Sequence, residues 1–281
     1  MGESNMLEKE ILGYKRGCWG SEEESVGKHQ EQNTENCLVC GEKLQYFEIG
    51  KDLKCIECNK IELGYVYCPN GHYVCDNCHG EKSFNIILDL ILSSKEKNPL
   101  IIAEKIIKDA SIPMLGCEHA WIAAGSLLGA IKNHGKLKVN DNQIIEAINR
   151  TRKQAIGAYC GLTGVCGIAP AMGASFSVIL GAACPKNEET ATTMHVVSKI
   201  IEVIANEAGP CCCKNFTYAA LTESCRLAKE HLKINLLSEN EIICKDVDRH
   251  PHGCRKDKCK YFSEQMLLWH IILMWWSNSS H

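Results

Sequence analysis

The sequence lacks a hydrophobic run long enough to span a membrane. Its C-terminal tail, residues 263–281, contains an apolar run from Met266 to Trp276 that His270 interrupts, whereas a transmembrane helix needs about 20 apolar residues. The tail is predicted to be a last helix that packs on the protein or an irregular extension. A weak membrane-surface or partner-binding role is the alternative.

The sequence also lacks a secretory signal and an excess of positive charge. The opening residues, MGESNMLEKEILGYKRG, contain no apolar segment of the kind that a signal peptide needs, so a cytoplasmic location with reduced thiols is predicted. The formal net charge is −3, which provides no basic surface for phosphates. Nucleic acid is therefore not favoured, and a protein partner or a small-molecule substrate is expected.

Cysteine, by contrast, is abundant. The chain contains 19 cysteines, whereas secreted disulfide scaffolds are usually short and have an even number. Several of these thiols are predicted to bind metal. A cytosol low in oxygen would suit so many free thiols.

The residue pattern divides the chain into four parts. Residues 1–36 are polar, show no apolar periodicity and are predicted to be flexible. Residues 37–82 are rich in Cys, Gly and aromatic residues, with short strand-like runs, and residues 83–262 show helical periodicity punctuated by Gly and Pro; the tail follows. The predicted fold is mainly α, an all-α Cys-rich domain preceded by a small zinc-binding β-rich module.

The strongest motif is a series of four ligand pairs in the module. The short spacing within each pair lets the backbone turn back so that both side chains reach one ion, and eight ligands make two tetrahedral zinc sites. The pairs are Cys37 and Cys40, Cys55 and Cys58, Cys68 and His72, and Cys75 and Cys78. They can combine in sequence, or interleave so that the first joins the third and the second joins the fourth. The ions are predicted to hold together a module with too few apolar residues to fold unaided.

A second set of cysteines falls at the predicted ends of helices. Helix N-termini carry unpaired N–H groups and partial positive charge, which stabilise thiolates and the anionic clusters that thiolates hold. The candidates are Cys117, Cys160, Cys166, Cys184, Cys211, Cys212 and Cys213. The preferred ligands of an iron–sulfur cluster or another thiolate-bound metal are Cys117, Cys160, Cys166 and Cys212. Burial as small apolar side chains is the alternative.

Two further groups of side chains are candidates for chemistry. Glu118 and His119 adjoin Cys117 and are predicted to act as general acid or base if a substrate binds nearby. A third cluster near the end of the helical domain can close another zinc site or lend one ligand to the iron–sulfur cluster. Its members are Cys244, His250, His252, Cys254 and Cys259.

The motifs CPNGHYVCDNCH, GCEHAW, GVCGIAPAMGASFSVILGA and GPCCCKNFTYAAL resemble those of an uncharacterised family of Cys-rich domains from anaerobic archaea and bacteria. Some members are fused to, or named as, S-adenosylmethionine-dependent methyltransferases. The chain itself lacks the strand, Gly-rich turn and helix of a nucleotide-binding methyltransferase fold, so the resemblance implies an auxiliary role in methyl transfer. The segment GHYVCDNC also resembles the middle of a RING-type finger, but the further cysteine pair of such fingers is missing.

A fainter likeness is to iron–sulfur L-serine dehydratases and cysteine desulfidases. A Gly-rich cysteine loop leads there into a small-residue helix, as Cys166-Gly-Ile-Ala-Pro-Ala-Met-Gly-Ala does here. The likeness implies a [4Fe–4S] cluster that acts as a Lewis acid on a hydroxyl or thiol of a small amino acid.

Three functions follow as predictions. The first is a cytoplasmic metal-binding protein, with zinc and an iron–sulfur or thiolate metal site, in the redox, metal or methyl-transfer metabolism of an anaerobe. The second is a [4Fe–4S]-dependent hydro-lyase or desulfidase that acts on a small hydroxy- or thio-amino acid. The third is an adaptor whose zinc module binds a protein partner.

Overall fold

A computed structural model describes residues 37, 39–109, 112–156, 159–207, 209, 211–239, 242–250 and 253–263. All structural statements below refer to these residues. The predicted N-terminal segment 1–36, His252 and the tail from residue 264 onward lie outside them.

The described chain begins with a β-hairpin. Strand β1 (Gln45–Lys54) pairs antiparallel with β2 (Ile61–Tyr67), and the register runs from Gln45 opposite Tyr67 to Lys54 opposite Ile61. The pairing shifts between Tyr46 and Lys51. Short strands were predicted in this part of the chain, and the two-stranded sheet confirms them.

Helices make up most of the remaining described chain. They are α1 (Asp76–Ser93), α2 (Pro99–Ile107), α3 (Glu118–His134), α4 (Asp141–Gln154), α5 (Tyr159–Thr163), α6 (Ile168–Leu180), α7 (Asn187–Asn206) and α8 (Cys213–His231). A short 3₁₀ turn follows at Lys256–Lys258. The prediction of a mainly helical protein preceded by a small β-rich module is confirmed. No described helix is both long enough and apolar enough to cross a membrane.

Local sequence signals set several helix ends. Asn98 caps α2 by accepting a hydrogen bond from the Leu100 N–H, and Pro99 occupies the first turn, where its missing N–H has no cost. Asn140 and Gln143 form a reciprocal capping box at the start of α4. Helix α3 ends where Gly135 adopts a left-handed conformation (φ 80°).

The core is built around α3, which α1, α2, α4, α6 and α8 surround. Its sequence, EHAWIAAGSLLGAIKNH, is buried continuously from Glu118 to Ile131. A helix that is apolar on all sides is stable only in the interior of a domain. Its small residues let neighbouring helices approach closely, and Ile91 of α1 packs directly over Gly125.

Two glycines of α3 form a matched pair for testing this packing. A Cβ atom at Gly125 would overlap the Ile91 Cδ1 atom and also press on Ile148, whereas one at Gly129 would lie 3.4 Å from the Ile91 Cγ2 atom, an ordinary contact. We expect Gly125→Ala to lower the free energy of unfolding by about 1–3 kcal/mol. Gly129→Ala should raise it by about 0.5–1 kcal/mol, because alanine favours the helix. Urea unfolding measures both, and equal effects would contradict the close α1–α3 contact.

Candidate metal centres

Two groups of side chains in the module bring four ligand atoms together. The first comprises Cys37, Cys40, Cys68 and His72, and the second comprises Cys55, Cys58, Cys75 and Cys78. The ligand atoms of each group all lie within 4.8 Å of one another. Each group can therefore hold a metal ion, and the ligand pairs interleave, which decides between the two arrangements that the sequence left open.

The hairpin explains the interleaving. Cys40 precedes β1 and Cys68 follows β2, so the antiparallel register places them at the same end of the hairpin. Cys55 lies at the opposite end, in the turn between the strands. The chain then returns to that turn, where the Ile56 N–H donates to the Tyr73 carbonyl (2.9 Å) and the Cys75 N–H donates to the Cys55 sulfur (3.4 Å).

The distances fit single tetrahedral ions. A zinc–sulfur bond of about 2.3 Å places the sulfurs of a tetrahedral site about 3.8 Å apart. The Sγ atoms of Cys40 and Cys68 are 3.4 Å apart, and those of Cys58 and Cys75 are 3.6 Å apart. In the first group the His72 Nδ1 atom faces the Cys37 sulfur at 3.8 Å, so Nδ1 is the histidine atom positioned to bind an ion.

Tight turns hold the ligands of the first group. Gly41 (φ 76°) and Gly71 (φ 82°) adopt left-handed conformations that other residues rarely reach. In each turn the N–H two residues after the cysteine donates to its sulfur, from Val39 to Cys37 and from Asn70 to Cys68, both at 3.4 Å. The backbone thus supplies hydrogen bonds that stabilise thiolates.

The pKa values of these cysteines show how a cation would stabilise each group. The Glu42 backbone N–H lowers the pKa of Cys40 to about 6, and the Cys75 backbone N–H lowers that of Cys55 to about 6. The neighbouring Cys58 thiol instead raises the pKa of Cys78 well above its usual value. Some thiols of each group thus ionise readily, and the negative charge of their thiolates keeps neighbouring thiols protonated. A bound cation would offset the repulsion between the thiolates.

In the helical domain four thiols meet beside the Gly-rich loop between α5 and α6. We call Cys160, Cys166, Cys211 and Cys213 the loop group. The adjacent Cys211 thiol raises the pKa of Cys160. Cys160 lowers the pKa of Cys211, but the Cys213 thiol and burial outweigh this effect and raise it to about 12. Burial, with Cys160 nearby, raises the pKa of Cys166 to about 11.

Four other thiols gather where the C-terminal segment 242–263 meets the start of α8. We call Cys212, Cys244, Cys254 and Cys259 the seam group. Burial raises the pKa of Cys212 to about 11, and the charges of Cys244 and Cys259 add to this effect. Burial also raises the pKa of Cys244, and Cys254 contributes in the same direction.

The backbone at Cys212 explains why three consecutive cysteines, the triplet Cys211–Cys213, divide between the two groups. Cys212 precedes α8 in an extended conformation (φ −134°, ψ 104°). Successive side chains of an extended segment point to opposite sides. Cys211 and Cys213 therefore face the loop group together, and Cys212 faces the seam group alone.

The four cysteines preferred from the sequence as ligands of one cluster do not all fall in one group. Cys160 and Cys166 lie in the loop group, but the cysteines that face Cys212 are Cys244 and Cys259. Cys117 is the N-cap of α3 and packs, half-buried, against the core. Cys184 is exposed beyond the end of α6.

The candidates for proton transfer are buried. Glu118 begins α3, and His119 is 0% exposed. Burial, with the Lys214 charge nearby, lowers the pKa of His119 to about 3. The ring is therefore neutral near pH 7 and lacks the imidazolium proton that a histidine general acid donates. The predicted role of Glu118 and His119 in proton transfer stays a prediction.

Only part of the third cluster predicted from the sequence belongs to the seam group. Its three cysteines, Cys244, Cys254 and Cys259, are members of the seam group. His250 is buried, and His252 lies outside the described residues. Sequence reasoning missed the polar partners of these cysteines. Asn215 donates through Nδ2 to the Cys259 sulfur at 3.3 Å, and Lys214 pairs with Asp246. The two polar residues directly after the triplet, Lys214 and Asn215, were the sequence signal that could have revealed these partners.

Spacing separates the helical-domain groups from those of the module. Within the described residues, only the two module groups bring three or more ligand atoms within 4.8 Å of one another. The sulfurs of the loop and seam groups are thus spread more widely than one small ion requires.

These features define a mainly helical, cysteine-rich protein with two ligand groups that can hold metal ions. The chain belongs to a family of unknown function, DUF5714, whose profile matches residues 87–262. The match begins inside α1 and includes GCEHAW and the triplet but not the module. No curated protein and no solved structure matches the chain significantly. The predicted link to methyltransferases and the likeness to dehydratases and desulfidases stay predictions.

The interleaved pairing can be tested by counting bound metal ions in double variants. Cys40 and Cys58 belong to different groups here, so Cys40→Ser with Cys58→Ser should remove both ions. Cys40→Ser with Cys68→Ser damages one group and should remove about one ion per chain. Mass spectrometry of the intact protein under native conditions measures the count. A sequential pairing would reverse the two results, because Cys40 and Cys58 would then share an ion.

Proposed function

We propose that the protein is a cytoplasmic metalloprotein with two zinc ions in the module and a further iron–sulfur or thiolate-bound metal at the loop group. It would serve the redox, metal or methyl-transfer metabolism of an anaerobe. The Cys211 thiol interacts with those of Cys160 and Cys213, which belong to two separate helices, and this proximity carries the second half of the proposal.

Zinc is the ion that suits the module best. The groups are one Cys₃His and one Cys₄ set with tetrahedral spacing, and zinc occupies such closed sites in a structural role. The hairpin supplies little core of its own, because Ile61 is 64% exposed and Leu63 58% exposed. The ions would therefore contribute most of the stability of the module.

The loop group has the access that reactive chemistry needs. Its cysteines are half-buried, and the neighbouring segment 161–165 is exposed throughout. Gly164 adopts a left-handed conformation (φ 74°) between Cys160 and Cys166, which lets the loop turn back. A metal held here would exchange electrons or ligands with molecules in solution.

The same exposed loop favours a second candidate, the [4Fe–4S]-dependent hydro-lyase or desulfidase. A small hydroxy- or thio-amino acid can reach a metal at the loop group without passing through the core. This candidate additionally requires an iron atom with an open coordination position. Addition of such amino acids to the loaded protein should then change its absorption spectrum, whereas an electron-transfer site would not respond.

Metal analysis of protein purified without oxygen tests the main proposal. We expect about two zinc ions per chain, together with iron and sulfide or another metal. Cys160→Ser with Cys211→Ser should remove the share of that additional metal that the loop group binds, about four iron and four sulfide if it is a [4Fe–4S] cluster, and leave zinc unchanged. Cys184→Ser is the matched control, because this thiol is exposed and outside every group. If the additional metal is unaffected by the double variant, the loop group does not bind it.

A further inference from the structure

The seam group lies where three pieces of chain converge. Lys214, in the first turn of α8, pairs with Asp246, and Asn215 donates to the Cys259 sulfur. The Cys244 N–H donates to the Tyr261 carbonyl at 2.7 Å, which joins the two ends of the C-terminal segment.

Side-chain packing also holds the C-terminal segment against α8. The Tyr261 ring packs edge-on against the Tyr218 ring of α8, with the centroids 5.1 Å apart. Both tyrosines are buried, and Cys244 and Cys259 pack against the main core. The four thiols are thus held by contacts between separate elements and do not merely follow one another in a loop.

The turns at these cysteines repeat those of the module. The Lys256 N–H donates to the Cys254 sulfur at 3.3 Å, two residues on, as Val39 does to Cys37 and Asn70 does to Cys68 at 3.4 Å. The Asp246 N–H acts on Cys244 with the same spacing. In the module this turn belongs to cysteines that converge with other ligands on one point.

Buried donors without acceptors provide an independent sign of an anion. The side chain of Arg255, next to Cys254, is only 6% exposed. Its Nη2 atom donates to Glu207 at 2.9 Å, but its Nε and Nη1 atoms have no acceptor among the described residues. Leaving such charged donors unsatisfied is costly, and Arg255 directly follows Cys254 in the chain, so an anionic group bound by that cysteine is a candidate acceptor for them.

We propose that Cys212, Cys244, Cys254 and Cys259 together bind a [4Fe–4S] cluster that is separate from the loop group. Four thiolates suffice for such a cluster, which carries negative charge and is stabilised by N–H donors to its sulfurs. Its ligands radiate from the corners of a cube and are therefore farther apart than those of a single ion. No three of the seam sulfurs lie within 4.8 Å of one another, so the group is not closed around one tetrahedral zinc ion and leaves room for a larger cluster.

The cluster would also connect the C-terminal segment to α8. The segment has little regular structure beyond the 3₁₀ turn Lys256–Lys258, and three of the four ligands belong to it. Its four cysteines are half-buried, so the cluster would be partly shielded from solvent and suited to storing or passing on electrons.

The test compares iron in the whole chain after anaerobic reconstitution with ferrous iron and sulfide. Cys244→Ser with Cys259→Ser should lose about four iron and four sulfide relative to the unmodified protein and keep its zinc. Cys184→Ser should lose neither. Unchanged iron in the seam variant would overturn the proposal, and so would loss of one zinc ion with no iron, which would indicate a single-ion site.

The variant Cys160→Ser with Cys211→Ser separates this proposal from that for the loop group. If the seam variant loses iron and the loop variant does not, the cluster at the seam stands and the proposed loop site fails. The opposite pattern would remove the seam cluster and leave the loop site.

A second measurement avoids variants that fail to fold. In the unmodified protein, iodoacetamide labelling of the four seam cysteines should be at least tenfold slower with iron bound than after the iron is removed by oxidation and chelation and the thiols are reduced again. Peptide mass spectrometry reads each cysteine separately, and Cys184 should label equally in both states. Equal labelling of the seam cysteines in both states would overturn the proposal.

Discussion

Burial of α3 on all sides is the constraint on which the helical domain depends. Because no face of this helix can meet water, five other helices have to surround it. Their ends then lie at the periphery, in the connections that enter and leave this shell. Five cysteines of the domain lie in these connections or at the helix ends beside them, namely Cys160, Cys166 and the triplet. The core thus fixes the positions of these thiols, and two of them, Cys166 and Cys211, also pack against it.

The backbone conformation at the start of α8 divides the three consecutive cysteines between two distinct thiol groups. A regular helix across all three cysteines would turn successive side chains by about 100° and scatter them. The extended backbone at Cys212 instead alternates them, with one neighbour on each side facing the Gly-rich loop. Lys214 and Asn215, both buried, then anchor the C-terminal segment through Asp246 and Cys259. A sequence of three identical residues therefore serves two sites because of one change in backbone conformation.

Much of the fold could be predicted from the sequence, because periodicity and capping residues report it directly. Glycine marks several helix ends, as at Gly181, whose left-handed conformation ends α6 at Leu180. Helical periodicity was predicted from residue 83 on, but the first helix starts at Asp76, because its first turns are polar and carry the candidate ligand Cys78. The ligand pairing followed from the antiparallel hairpin, which was predictable once both strands were recognised. The division of the triplet was not, because it depends on one pair of backbone angles.

The two kinds of thiol group differ in what holds their sulfurs together. In the module, backbone N–H groups and tight turns bring the ligand atoms to the spacing of one ion, and little apolar core is available to do so. In the helical domain the core sets the positions of the elements, and the sulfurs keep the wider separations that this packing dictates. Turns can adjust their conformation to bind a small ion. Packed helix ends cannot move closer to such an ion without disturbing close-packed contacts. The polynuclear centres proposed for the helical domain suit such packed sites, and the module suits single ions.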